Sequence, residues 1–479
     1  MEYEIVVGLE VHAELNTKTK IYCSCKNEFG AEVNTNCCPV CMGLPGALPI
    51  LNKKVVDYAI KMGHACGCKI NRICKQDRKN YFYPDTPKAY QISQFDVPLC
   101  ENGHIDAIMD DEGHTKRFGI TRIHIEEDAG KLIHDDSFEG SLVDFNRSGV
   151  PLIEIVSEPD MRSSADAKAY LESIKSILQY IGISDCKMQE GSIRCDVNVS
   201  VMPKGSKEFG TRVEMKNVNS FNGTVRAIDY EANRQIEILE KGGEILQETR
   251  RWDDAKGMNF LLRSKEDAQD YRYFPEPDLL TINVPEERVQ ELKESLPELP
   301  NHMILRYMSD YKLPLFDSNL FMENPDKAEL FEKCMAKKRC EPKNVSNWIL
   351  GDISRILNEK NIKLADTKLT AENLCSMISM IEAKEISNAS GKVIIEEIMF
   401  TDKTAKQVVD EKGLGQISDN SALEDLVKSV IEANPKALED YKNGKTNVMG
   451  FLVGQCMKAS KGKGNPAILK ELMEKHLNA

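Results

Sequence analysis

The first strand-like stretch of the chain alternates strictly, with Leu9, Val11 and Ala13 apolar and Glu10, His12 and Glu14 polar. Successive side chains of a strand point to opposite faces, so this pattern predicts a half-buried strand that presents two carboxylates and an imidazole together. Short β-branched runs bounded by turns recur over residues 5–13, 119–125, 152–156 and 197–201 and predict strands of one sheet. Residues 164–180 carry apolar side chains at helical spacing. Helical crossovers are too few for a doubly wound fold, so the expected class is α+β with a mostly antiparallel sheet. After Leu296-Pro-Glu-Leu-Pro300 the pattern becomes helical, with Asn344-Val-Ser-Asn-Trp348 opening one helix. At about 150 residues per domain, three parts are expected: a mixed domain over 1–292, an all-helical domain over 293–405 and a small helical tail over 406–479.

Two aromatic-acidic segments interrupt this patterning, Asn80-Tyr-Phe-Tyr-Pro-Asp85 and Tyr271-Arg-Tyr-Phe-Pro-Glu-Pro-Asp278. Each proline fixes its own φ and biases the residue before it towards extended backbone, so the rings and carboxylates are held in one presentation. They read as two walls of one ligand site, the alternative being proline-anchored turns that plug a core.

Composition narrows the class. The chain carries 41% hydrophobic and 29% charged residues and a net charge of −13, which argues against a protein coated in basic surface for non-specific nucleic-acid binding. A local basic end exists: residues 445–479 hold six lysines, Lys458, Lys461 and Lys463 among them, against two glutamates. No run of about 18 apolar residues suggests a membrane span, and no basic, then apolar, leader is visible. The expected location is the cytoplasm. Fifteen cysteines in a reducing compartment are thiols or metal ligands. Cys23-Ser-Cys25 and Cys38-Pro-Val-Cys41 form two close pairs, an arrangement in which four thiolates can surround a tetrahedral Zn²⁺. Buried free thiols are the alternative, and Cys37 competes for a ligand place.

Glu10 and His12 are candidate ligands of a hard divalent metal, or else mark a solvated edge strand. Glu126, Glu127 and Asp128 follow one another after a β-type stretch and would repel without cations or donors among them. Glu154, inside Pro151-Leu-Ile-Glu-Ile-Val156, is either edge-exposed or functionally paired. Basic counterparts for a phosphate-bearing substrate are Arg78 and Lys79, Arg194, Arg212 and Lys216, and Arg272. Neither GxxxxGK[ST] nor GxGxxG opening a helix is present, so any nucleotide is held in another way.

Gly8-Leu-Glu-Val-His12, Arg78-Lys-Asn-Tyr-Phe-Tyr-Pro-Asp85, Lys88-Ala-Tyr-Gln-Ile-Ser-Gln-Phe95, His124-Ile-Glu-Glu-Asp-Ala-Gly-Lys131, Pro151-Leu-Ile-Glu-Ile-Val-Ser-Glu-Pro-Asp160 and the second aromatic-acidic segment resemble the GatB family, the B subunits of the aspartyl/glutamyl-tRNA(Asn/Gln) amidotransferases. The residues from Asn447 to Pro466 resemble that family's YqeY-like tRNA-contacting tail. The resemblance implies a cradle domain with the synthetic site, then a helical domain and the tail. It implies ATP-dependent phosphorylation of the side-chain carboxylate of Glu-tRNA(Gln) or Asp-tRNA(Asn), followed by amidation with ammonia. It further implies partners: misacylated tRNA, an amidase-signature glutaminase subunit (GatA) and a small bracing subunit (GatC). On this basis Glu10, His12, Glu127 and Glu154 are expected around Mg²⁺ or Mn²⁺, with Glu126 and Glu214 as alternates. Arg78, Lys79, Tyr81, Arg194, Lys216 and Arg272 are expected at the phosphates or acceptor end. The family's knuckle maps onto Cys23, Cys25, Cys38 and Cys41, with zinc in a structural role.

Overall fold

The computed structural model describes residues 2–134, 140–264, 270–415, 420–442, 448–460, 464 and 466–477. The chain forms two compact units, Met1–Met303 and Ile304–Ala479. The first unit is built on a nine-stranded sheet: β1 Tyr3–Glu14, β2 Lys69–Ile70, β3 Cys100–Ile108, β4 Thr115–Glu127, β5 Pro151–Ser157, β6 Ile193–Pro203, β7 Val213–Val218, β8 Glu248–Asp253 and β9 Met258–Ser264. Their spatial order is β9-β8-β7-β6-β1-β5-β4-β3-β2. Every neighbouring pair is antiparallel except β7 and β8, so the expected sheet type holds. β1 lies in the middle, between β5 and β6.

The alternation along β1 is realised: Leu9, Val11 and Ala13 are buried in the core while Glu10, His12 and Glu14 stand on the other face. Three helices supply much of the rest of that core: α1 Lys53–Ala65, α2 Ser164–Tyr180 and α3 Phe221–Glu240. Their starts are fixed locally, because the side chains of Asn52, Ser163 and Ser220 each accept a hydrogen bond from a first-turn N–H. Tyr170 of α2 meets Phe118 of β4 edge to face at 6.2 Å. With the helices on the apolar face, the polar face is left to carry chemistry.

A smaller three-stranded sheet joins Asp77–Asn80, Tyr90–Ser93 and Phe274–Pro275. Phe274 pairs with Arg78, and the Asn80 N–H donates to the Tyr271 carbonyl at 2.9 Å. The two aromatic-acidic segments are therefore neighbours in space.

The second unit is helical. Within it, Leu423, Val427, Val430, Leu452, Cys456, Leu469, Met473 and Leu477 close a hydrophobic core of their own between the helices Asn420–Ala433, Val448–Ala459 and Pro466–Leu477.

Candidate active site and thiol knuckle

Register alone assembles the centre of the site. Arg194 on β6 stands opposite His12 on β1, His12 opposite Glu154 on β5, and Glu154 opposite His124 on β4. Directly opposite residues share a face, so four polar side chains form one row across four strands. His12 Nε2 lies 3.3 Å and His124 Nε2 3.5 Å from the same oxygen of Glu154. Burial favours the neutral form of Glu154, but the two imidazoles outweigh it and hold the carboxyl well below its usual range. Burial likewise opposes charge on His12, and the Glu154 carboxylate overcomes it and raises the imidazole. Two residues along, Glu10 stands opposite Asp196 and accepts from Asn198 Nδ2 at 3.0 Å. Glu10 is raised by burial and then by the Glu154 and Asp196 carboxylates, a crowding that a cation would relieve.

Two groups of ligand atoms result. His12, Glu126 and Glu154 bring theirs within 4.8 Å of one another, as do Glu10, Asp196 and Glu214. The donor set is rich in oxygen with one imidazole, which suits a hard divalent ion. Both groups reach a cavity of about 360 Å³, whose wall includes Lys79, Arg122, Arg212, Lys216, Tyr271 and Tyr273.

The three consecutive acids part company at the end of β4. Glu126 turns to the row, accepting from Gln91 Nε2 at 3.0 Å with Lys79 Nζ at 3.5 Å. Glu127 points the other way: its carboxylate is held by the Lys88 ammonium and the Ile92 N–H. Burial raises it despite Lys88, and it lines a separate cavity of about 210 Å³ beside Cys23 and Cys41. Of the expected shell, Glu10, His12 and Glu154 are thus brought together with Glu126 and Glu214, while Glu127 lies apart from them. Asp128 pairs with Arg194 at 2.7 Å.

The expected cations are mostly engaged. Arg78 donates to both oxygens of Glu276 at 2.7 Å and lies 4.2 Å over the Tyr90 ring. Lys216 sits 2.6 Å from Asp196 and 3.2 Å from Glu214. Lys79 lies 5.4 Å over the Tyr271 ring, and Glu126 and then Glu154 raise it against its burial. Tyr81 meets Tyr271 edge to face at 6.2 Å. Arg272 is exposed at φ +45°, and its carbonyl accepts from Asn80 Nδ2 at 2.9 Å. Arg122 and Arg212 form no ion pair among the described residues, and Arg122 Nε is buried without a partner there. His124, Asp196 and Arg122 escaped the reading of the sequence as site residues. The alternation His124, Glu126 was its available signal for the first, but the other two needed the register.

Cys23, Cys25, Cys38 and Cys41 gather their sulfurs within 4.8 Å of one another, with Cys38 and Cys41 at 3.8 Å. Bonds of about 2.3 Å to a tetrahedral Zn²⁺ require sulfurs about 3.8 Å apart, so the four thiols fit that ion. Cys41 is pulled down to about 5, first by its hydrogen bond with Cys23 and also by the Cys38 N–H and Lys20. Cys37 stands outside the group. Of the tail lysines, Lys458 is exposed at the end of its helix, while Lys461 and Lys463 lie outside the described residues.

Residues 5–290 match the family model described as the GatB/GatE catalytic domain, and residues 329–477 match the one described as the GatB domain. The chain is 57% identical to the aspartyl/glutamyl-tRNA(Asn/Gln) amidotransferase B subunit of Caldicellulosiruptor saccharolyticus, the alignment covering 100% of this chain and 99% of that protein. It is 53% identical to the B subunit of Thermoanaerobacter pseudethanolicus and 51% identical to that of Clostridium botulinum strain Langeland, each over 100% of both chains.

Proposed function

The chain belongs to the GatB family of amidotransferase subunits, and on that premise we propose that its cavity activates the side-chain carboxylate of a glutamate or aspartate misacylated onto tRNA(Gln) or tRNA(Asn) and converts it to the amide. A carboxylate resists attack by ammonia because its leaving group would be oxide. In the proposed sequence one carboxylate oxygen attacks the γ-phosphorus of ATP, and ADP leaves with the electron pair of the broken P–O bond. Ammonia then adds to the acyl carbon, and phosphate departs with the C–O pair as a stable anion. Ammonia comes from an amidase-signature partner, GatA, braced by GatC.

The observation that carries this reading is the convergence of Glu10, His12, Glu154, Asp196 and Glu214 from four strands on one cavity, with Glu126 adjoining His12 and Glu154. Mg²⁺ or Mn²⁺ held by these residues would supply charge neutralisation for the phosphate oxygens during transfer. Around that centre, Arg122 and Arg212, which form no ion pair among the described residues, offer guanidinium groups to phosphate, and Lys79 and Lys216 complete a cationic side. Tyr271, Tyr273 and Phe95 make an aromatic wall, the last two stacked at 4.3 Å, against which a base or an aminoacyl ester can lie. Arg78 and Arg194 hold that architecture through Glu276 and Asp128. Zinc in the knuckle serves structure.

The test uses the complex assembled with its partner subunits. Misacylated tRNA should stimulate ATP hydrolysis and amide formation together, and His12→Ala or Glu10→Ala should depress both. If either variant keeps both at the wild-type level, the subunit is a tRNA-holding scaffold and the catalytic reading fails.

A further inference from the structure

Lys20 is fully buried, at 0% exposure. Its ammonium donates to the carbonyls of Ser148 at 2.8 Å, Asn36 at 2.9 Å and Phe145 at 3.4 Å, and it lies 3.8 Å from Cys41 Sγ. Among the described residues it forms no ion pair with a carboxylate. A buried ammonium with only carbonyl dipoles for partners is costly unless a full negative charge is near. The nearest source of such charge is the thiol knuckle.

We propose that Lys20 is the counter-cation of the four-thiol cluster and that it ties metal loading of the knuckle to the turn at residues 145–149. Four thiolates around a divalent ion carry a net charge of −2, and one ammonium beside Cys41 halves it. The proposal rests on the zinc reading of the knuckle given above. The same turn is joined to the knuckle in two further ways. Ser148 Oγ donates to the Cys41 carbonyl at 2.9 Å. Gly149 holds φ +79° where a Cβ would come 3.3 Å from Cys41 Cβ, so a side chain there is strained and crowds the cysteine.

From the turn the contacts lead to the polar row. The Gly149 N–H donates to the Asp128 carbonyl at 2.9 Å, and Arg147 Nε lies 3.5 Å from the Asp128 carboxylate. Asp128 holds Arg194, which stands opposite His12. Lys20 is thus a positioning residue: with the cluster loaded, four metal-bound thiolates face the ammonium and the turn is pinned; with the cluster empty, less negative charge faces it and the turn is held less firmly. Because linkage is reciprocal, whatever loading does for the turn, the lysine does for loading.

The experiment measures zinc affinity of the full chain by chelator competition. Lys20→Met should bind zinc about 10- to 100-fold more weakly than wild type, the range for loss of a residue that supports metal ligands. Its urea midpoint should fall further below wild type in the zinc-loaded state than in the metal-free state, whereas loss of ordinary packing or of the three carbonyl hydrogen bonds alone would lower both states alike. Equal zinc affinity in the two proteins overturns the role of Lys20. A wild-type chain that takes up no zinc at all overturns the zinc reading itself, so the two failures are distinct. Should Lys20→Met fail to fold, acetylation of wild type by an N-hydroxysuccinimide ester, mapped by mass spectrometry, decides instead. Lys20 should be protected in the zinc-loaded chain and react at least tenfold faster after chelation, and equal rates overturn the proposal.

Discussion

His12 and Glu154 face each other in register on neighbouring antiparallel strands, with Nε2 3.3 Å from Oε2. Among the described residues, Glu154 is the one carboxylate within ion-pair distance of both imidazoles of the row, so neutralising it removes the charge at the middle of the candidate metal centre. Glu154→Gln keeps the shape and should weaken divalent-metal binding at least tenfold, about 1.4 kcal/mol, with a corresponding loss of amide formation. Glu126→Gln should follow it. Glu127→Gln should leave metal affinity within about twofold, a difference below ~0.5 kcal/mol, because its carboxylate is held by Lys88 and Ile92 and faces another cavity. Isothermal titration with Mn²⁺ on the three variants checks this, and equal losses for Glu126→Gln and Glu127→Gln would refute the division between their faces.

Arg78 and Glu276 hold the two aromatic-acidic segments together across 198 residues of chain. The Glu276 side chain is completely buried, and removing the guanidinium strands its charge. Arg78→Ala should cost the first unit about 3–5 kcal/mol. Arg78→Lys keeps the charge but loses the two-pronged geometry and should fall between. Urea denaturation reports the order; an Arg78→Ala protein as stable as wild type would show that the segments do not depend on this pair.

Much of this arrangement was legible in the sequence, and what escaped has identifiable physical causes. The alternation over Leu9 to Glu14 was enough to place Glu10 and His12 on one polar face, because a strand with one buried side has a single permissible facing. The run Glu126-Glu127-Asp128 puts acids on both faces, so its pattern could not say which one meets Glu154. β8, with the sequence ETRRWD, buries chiefly Trp252 and Thr249 and lacks an apolar period that would mark it as a strand. Asp196 joins Glu10 only through the β1–β6 register. Lys20 leaves no signal at all, since three of its partners are backbone carbonyls 16 to 128 residues away. Basic side chains reveal their sign in a sequence but not their partners, which is why Arg78 and Arg194 read like Arg212 there and differ from it in the fold.

Glu14 predicts a pH dependence with a definite sign. Its carboxyl is raised from 4.5 to about 8, first by burial and next by Asp128, with Arg194 and Arg147 opposing. The folded chain therefore keeps a proton that the unfolded chain releases above pH 4.5. The stability this contributes is complete below that value, declines as pH rises towards about 8, and is lost beyond it. Glu14→Gln cannot ionise, so its urea midpoint should gain on wild type as pH is raised from about 5 to about 8. A constant gap between the two proteins across that range would contradict the shift.

The C-terminal part allows binding and chemistry to be separated, provided the cut respects the helices. Helix Ala405–Lys412 begins at a Thr404–Gln407 capping box and buries Ala405 and Val408 against the helices Ala371–Glu382 and Asn388–Phe400 that precede it. The separate core begins only at Leu423. A truncation after Gly415 removes that core with Lys458 and the neighbouring lysines while sparing the earlier packing, whereas a cut at residue 406 would expose it. In the assembled complex the truncated subunit should bind tRNA more weakly. Its affinity should also depend less on salt, since each lost phosphate contact removes about 0.9 from the slope of log K against log salt. Amide formation at saturating tRNA should stay within about twofold, because a group used for docking alone changes KM and leaves kcat in place. A collapse of turnover at saturating tRNA would mean that the tail positions the acceptor end for reaction, and the division between docking and catalysis would have to be abandoned.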